Sequence, residues 1–335
     1  MRLVTSLTVD ASLLRKLLDL WNAGNDPRNP FASVLVTPLF ASRGTLRTIR
    51  NELKEKRGSV VYFDSGGYYA QQGKIAFPEL YCALRDFYRD PANQWADWYV
   101  LPDHVPTSAD SSEVVEQNDT VTAARLFFSE MPAFVQERLL PVIQGHTVDQ
   151  VGRCIETYQA MGARYIGFGS FGTGGDSSIN VTDARSAQTV VHIMDRLHPG
   201  QRLHVFGVST PPVVYAFRRL GVYSFDSLAW VRSAGYGKVF LPFTRAYNVS
   251  HRSTRNSALS YVEFMQIKER SGHHCPFCED FNLLRENRLY RCLHNLVAVM
   301  ETAEENGQLG SSDIASLIAW KSAKYYRLFE KVYCG

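Results

Sequence analysis

Eight short runs rich in Val, Ile, Leu, Phe and Tyr recur up to Asp226, and stretches of helical length separate most of them. The runs are Leu3–Val9, Ser33–Phe40, Ser59–Asp64, Trp95–Asp103, Leu139–Gln144, Arg164–Gly169, Leu203–Gly207 and Val222–Asp226. Strands that are apolar at nearly every position are buried on both faces, as parallel strands are when helices cover them. Between them, Ala11–Ala23, Thr45–Lys56, Pro78–Tyr88, Val148–Met161, Ala184–Leu197 and Pro211–Leu220 read as amphipathic helices. Gly162 and Gly221 stand just past two of these, where a left-handed residue is favoured. The order and length of the units predict an α/β fold, a closed (β/α)8 TIM barrel. A doubly wound open sheet is the rival, because counting units does not demonstrate closure.

Polar residues at the run ends favour the barrel. Asp64, Asp103, Gln144, Gly169, Gly207 and Asp226 each close a run at its C-terminal end. In a barrel those ends converge on one mouth, where barrel enzymes keep their chemistry. Asp and Gly also follow strands as ordinary turn formers. Three aspartates and a glutamine closing apolar or aromatic runs weigh toward an active site.

Beyond Asp226 the pattern changes, which divides the chain into a barrel over residues 1–237 and a second segment over 238–335. Lys238–Thr244 reads as a strand outside the barrel. Arg245–Arg255 (RAYNVSHRSTR) is either a solvated loop or a phosphate-contacting one. Ile314–Val332 is helical by pattern, with Trp320, Tyr325, Tyr326 and Phe329 as core rings. No apolar run approaches the ~20 residues that span a bilayer, and MRLVTSLTVD has no signal-peptide pattern. The expectation is a soluble, cytoplasmic protein without a membrane partner. Its net charge of +3 is compatible with nucleic acid and does not demand it.

Six cysteines in 335 residues do not make a disulfide scaffold. The stretch HHCPFC sets His273, Cys275 and Cys278 in an H-x-C-x-x-C arrangement, and His294 follows in RCLHNL. Two thiolates and two imidazoles at these spacings can enclose a tetrahedral zinc with no ligand position left for water, a structural site. His274 and Cys292 are alternative ligands.

Together these elements resemble the tRNA-guanine transglycosylase superfamily, zinc-containing (β/α)8 barrels that exchange guanine in nucleic acid for a 7-deazaguanine. The resemblance covers Ser59 to Leu296. It rests on DSGGY (Asp64–Tyr68), IQG (Ile143–Gly145), FGVSTP (Phe206–Pro211), LGVYSFD (Leu220–Asp226) and the zinc cluster ending in HNL (His294–Leu296). It implies that Asp226 is the nucleophile that holds a covalent glycosyl intermediate, and Asp64 the general acid/base. It further implies that Asp103 accepts hydrogen bonds from the base, that Gln144 reads its carbonyl side, and that the Gly169 and Ser170 backbone reaches it. Tyr68 and Phe206 then sandwich the base. In this reading Gly66 and Gly67 let the backbone crowd against that base.

The sequence departs from the family pattern at three places. His273 stands where the zinc motif normally begins with cysteine. Gly175 occupies the position of the glutamate that greets a cationic aminomethyl arm, which favours a neutral substituent such as the nitrile of 7-cyano-7-deazaguanine. The arginine-rich segment of the tRNA enzymes is reduced to SLAWVRSAGYGK, with Arg232 and Lys238. These departures point to the DNA-modifying, DpdA-like branch, with DNA as partner and tRNA as the alternative. Arg232, Arg245, Arg252 and Arg255 are the candidate phosphate contacts, and a helper protein or homodimer is compatible with the family. The competing classes are a non-catalytic partner subunit, which the presence of both aspartates disfavours, and a zinc-dependent barrel hydrolase. The ligand cluster follows the last barrel strand, which disfavours the hydrolase.

Overall fold

The computed structural model describes residues 1–105, 112–145, 147–169, 184–250, 258–304 and 309–334. Nine parallel strands form one sheet: β1 (Arg2–Ser6), β2 (Ser33–Val36), β3 (Val60–Phe63), β4 (Trp98–Val100), β5 (Leu139–Leu140), β6 (Val142–Ile143), β7 (Tyr165–Phe168), β8 (Arg202–Val205) and β9 (Ser224–Ser227). Their order is β5-β4-β3-β2-β1-β9-β8-β7-β6. The two strands at the ends of this order are halves of one run, with only Pro141 between them. Proline has no N–H to give a ladder, so the run changes partner there. Leu139 and Leu140 pair with Tyr99 and Val100, while Val142 and Ile143 pair with Gly167 and Phe168. The Pro141 carbonyl accepts from the Gly167 N–H at 2.8 Å. The sheet therefore returns on itself, and the fold is a TIM barrel rather than an open doubly wound sheet.

Side chains alternate across a strand, and the barrel sorts them accordingly. Val4, Leu35, Tyr62, Val100, Leu140, Val142 and Tyr165 fill the interior as one buried cluster. Residues of opposite parity, such as Val34, Val61, Phe63, Ile166 and Phe225, pack outward against the helices. The same alternation carries interior positions upward two residues at a time, from Val4 to Ser6, Leu35 to Thr37, Tyr62 to Asp64 and Ser224 to Asp226. The polar residues that close the strands are thus aimed into the mouth.

Helices form at Ala11–Gly24, Phe77–Arg89, Val148–Ala160, Ala184–Arg196 and Pro211–Arg219, close to the expected bounds. The helix expected over Thr45–Lys56 instead runs from Arg43 to Thr48 and widens into π turns over Ile49–Glu55. There Ile49 and Leu53 are both fully buried, and Lys54 reaches Asp97 at 2.6 and 2.7 Å. A long helix over Ser112–Glu130 was not expected. The strand expected over Lys238–Thr244 is only two residues, β10 (Lys238–Val239), antiparallel to β11 (Tyr247–Asn248); Phe243 turns with a φ of 61°. The expected tail helix is two, Ser311–Lys321 and Ala323–Cys334, broken at Ser322 (φ −144°). Of its rings Phe329 is buried, whereas Trp320 lies at the surface between Arg270 and Lys321.

The helix Arg288–Glu304 joins the second segment to the barrel. Asn295 on it accepts from the Phe240 N–H at 2.7 Å and donates to the carbonyls of Trp230 (3.1 Å) and Lys238 (3.3 Å). Arg291 donates to the Ala234 carbonyl at 2.9 Å. Both side chains are buried. They fix the short helix Ala229–Gly235 that immediately follows Asp226.

Candidate active site and metal centre

Asp226 is the third residue of β9, with only 7% of its surface exposed. The Ser6 hydroxyl donates to its Oδ2 at 2.6 Å, and the Gly207 N–H donates to its Oδ1 at 3.0 Å. Asp64, directly after β3, accepts from the Thr37 hydroxyl at 2.8 Å. Burial pushes the Asp64 carboxyl up to about 7 against the opposing Thr37 bond, and the charges of Asp226 and Asp103 add to the rise. Asp103 is buried beside them, accepting from the Ser65 hydroxyl at 2.8 Å and the Gln144 amide at 2.5 Å. Burial raises its carboxyl too, opposed by those two bonds.

The elevated Asp64 carboxyl has a consequence for stability. Folding favours its protonated form, so the native state is relatively stabilised at low pH and loses that advantage as pH rises from 3.8 towards about 7. Asp64→Asn removes the ionisation. The variant is expected to melt at a higher temperature than the native chain at pH 8, and the gap should narrow as the pH falls from about 7 towards 3.8. Melting curves across that range check it.

The glycines after Asp64 serve packing rather than only an open floor. A Cβ on Gly66 would come within 2.9 Å of the Phe40 ring, and its φ of +83° suits glycine. A Cβ on Gly67 would come within 2.8 Å of Asp103 Oδ1. Phe40 in turn stacks on Tyr69, with centroids 3.9 Å apart. Tyr68, on the short helix Gly67–Gln71, keeps 43% of its surface exposed at the mouth. Across the barrel, a Cβ on Gly167 would meet the Phe206 ring at 2.4 Å, and one on Gly169 would meet the Gln144 amide nitrogen at 2.9 Å.

Of the basic candidates, Arg232 is exposed on Ala229–Gly235, and its charge reaches Tyr69 at the mouth. Arg245 is exposed and lies 5.2 Å over the Tyr247 ring. Ser170, Arg252 and Arg255 lie outside the described residues, as does Gly175.

The ligand-type atoms of His273, Cys275, Cys278 and His294 lie within 4.8 Å of one another, and all four residues are buried. His274 is exposed, and Cys292 is a buried free thiol outside the cluster. His273 Nε2 and His294 Nδ1 face each other at 3.2 Å, and the two sulfurs are 3.5 Å apart. The outward nitrogens are already engaged: His273 Nδ1 with Glu301, and His294 Nε2 with the Phe240 carbonyl at 2.7 Å. That arrangement fixes which nitrogen of each ring can bind an ion, as outer partners do in metal sites. Bonds from Cys275, against the cost of burial, and from the two histidines hold the Cys278 thiol far below its usual range. Arg28 balances Glu301, pairing with it and with Asp26. The cluster has the donors, depth and outer partners to hold a metal ion.

His204 was missed at the level of sequence, as were the supporting hydroxyls of Ser6, Thr37 and Ser65. His204 is fully buried in β8, with Nδ1 2.6 Å from the Ser224 hydroxyl and Nε2 3.4 Å from Asp226 Oδ1. The signal was a lone imidazole on the interior parity of an apolar strand, directly opposite Ser224 in the neighbouring strand.

Compared with known proteins, the chain matches no family model, and no curated protein matches it significantly. No helix among the described residues is long and apolar enough to cross a membrane. The fold and the two clusters therefore carry the functional argument by themselves.

Proposed function

We propose that this protein is a guanine transglycosylase of the cytoplasm that exchanges guanine in DNA for a 7-deazaguanine, with 7-cyano-7-deazaguanine as the fitting base. The observation that carries the reading is the convergence of Asp64, Asp103 and Asp226 on one barrel mouth, with Gln144 bonded to Asp103. In the first half-reaction, a carboxylate oxygen of Asp226 attacks C1′ of the target nucleoside. The C1′–N9 bond breaks, and the departing guanine takes a proton from Asp64. In the second, Asp64 removes a proton from the incoming base, whose nitrogen attacks C1′. The C1′–O bond then breaks and returns its electron pair to Asp226. A carboxyl near 7 can work in both directions at neutral pH.

Asp103 and Gln144 suit a flat base with N–H and carbonyl edges, and Tyr68 and Phe206 suit its two faces. The metal centre holds zinc in this reading, because two sulfur and two nitrogen donors match its tetrahedral preference and leave no open position. Zinc there would tie Cys275, Cys278, His273 and His294 into one unit. DNA is favoured over tRNA by the reduced basic segment after Asp226, where Arg232 and Lys238 remain.

Incubation with isotope-labelled 7-cyano-7-deazaguanine, on DNA and bulk tRNA in parallel, tests the proposal by nucleoside mass spectrometry. Label is expected in DNA, with binding that weakens as salt rises. Label in tRNA alone would replace DNA by tRNA. Label in neither would favour a non-catalytic partner subunit.

A further inference from the structure

We infer that His204 is a positioning residue that feeds one hydrogen-bond donor to Asp226 through a relay from the barrel interior; the inference rests on Asp226 acting as the nucleophile proposed above. Tyr62, Tyr165, Ser224 and His204 form a buried chain. The Tyr62 and Tyr165 hydroxyls are 3.3 Å apart, Tyr165 bonds Ser224, and the Ser224 hydroxyl is 2.6 Å from His204 Nδ1. Among the described residues His204 Nε2 has no hydrogen-bond partner, and it lies 3.4 Å from Asp226 Oδ1.

With a neutral imidazole, and with a single proton on Ser224, the chain can run in only two directions. If Ser224 donates to Tyr165, His204 must donate through Nδ1, and its Nε2 turns a lone pair towards a carboxylate with no partner for either. Burying such a pair of acceptors is costly. If Tyr165 donates to Ser224, Ser224 donates to Nδ1. The Nε2–H then points at Asp226 Oδ1, which a small tilt of the carboxylate closes. The second direction satisfies every group. Asp226 then has three donors: the Ser6 hydroxyl, the Gly207 N–H and His204.

The consequence falls on one half of the reaction. Attack by Asp226 spends its negative charge, whereas breakdown of the intermediate returns it. A donor held in place by packing stabilises the carboxylate as the glycosyl group leaves. His204 therefore speeds the second half-reaction and not the first. Tyr62, 5.9 Å away and stacked, and Phe206, at 4.4 Å, hold the imidazole ring in register.

Two measurements test this. In the chain labelled with ¹⁵N-histidine, His204→Phe assigns the signal. The neutral Nε2-protonated form is expected, becoming a mixture in Ser224→Ala; an Nδ1-protonated form in the native chain would overturn the inference. In kinetics, His204→Phe should slow turnover about tenfold while raising the fraction of chain trapped as covalent adduct. His204→Gln, which retains an N–H near the Nε2 position, should restore both. Turnover and adduct falling together would mark a merely structural role and overturn the inference, as would no change in either. A native chain that forms no adduct on DNA or tRNA would count against the nucleophile reading instead, and the tautomer would then decide the role of His204.

Discussion

Asp226→Ala is expected to abolish base exchange, lowering kcat by at least about a thousandfold, the scale on which removal of a nucleophile acts. The fold should survive, because the substitution removes a buried charge and Asp226 lies outside the apolar cluster that fills the barrel. Their bonds to the carboxylate, at 2.6 and 3.0 Å, show how firmly the group is aimed. Binding of the free 7-deazaguanine base should be nearly unchanged, since Asp103 and Gln144, not Asp226, face its edges in the proposed arrangement. Unchanged affinity with lost turnover separates a nucleophile from a base-binding carboxylate. Turnover within tenfold of the native chain would contradict the assignment.

Removal of the metal is expected to have the second-largest effect, and to reach the barrel mouth. Purified chain should hold close to one equivalent of zinc by elemental analysis, and Cys278→Ser or chelation should lower it. The physical path is explicit. His294 and Asn295 are neighbours on one helix; Asn295 donates to the Trp230 carbonyl, the Trp230 indole donates to the Ser6 carbonyl at 3.3 Å, and the Ser6 hydroxyl holds Asp226. Two buried histidines and two cysteines with no ion at their centre lose the interaction that gathers them. A loss of about 5 kcal/mol, well below what structural zinc supplies to isolated fingers, lowers the melting temperature by roughly 10 °C or more in a chain of this size. Calorimetry with and without chelator checks it. An unchanged melting temperature in zinc-free chain would show that the cluster needs no ion.

Much of the barrel could be read from sequence because its strands are short, apolar and punctuated, and because polar residues close them on a fixed parity. The fifth run looked like one strand; Pro141 within it was the visible warning that its ladder would change partner. The helix Ser112–Glu130 escaped because the apolar residues of SEVVEQNDTVTAARLFFSE follow no single stripe. The four candidate metal ligands were legible as spacing, whereas Glu301 and Phe240, which decide the binding nitrogen of each histidine, depend on tertiary packing. The same holds at the mouth. Asp64, Asp103 and Asp226 stand out as strand-closing carboxylates, yet Ser6, Thr37 and Ser65 look like ordinary hydroxyls until the fold sets them against those groups. His204 is the clearest case, since its meaning comes only from Ser224 and Asp226 across the next strand.

The central claim is a covalent bond between Asp226 and a nucleotide sugar. Its most direct test is to denature the chain during reaction with a guanine-containing DNA oligonucleotide, digest it, and locate the adduct by peptide mass spectrometry. The account predicts a pentose-linked adduct on the peptide that contains Asp226, absent from Asp226→Ala. An adduct on Asp64, or exchange that proceeds with no adduct at any time point, would contradict it.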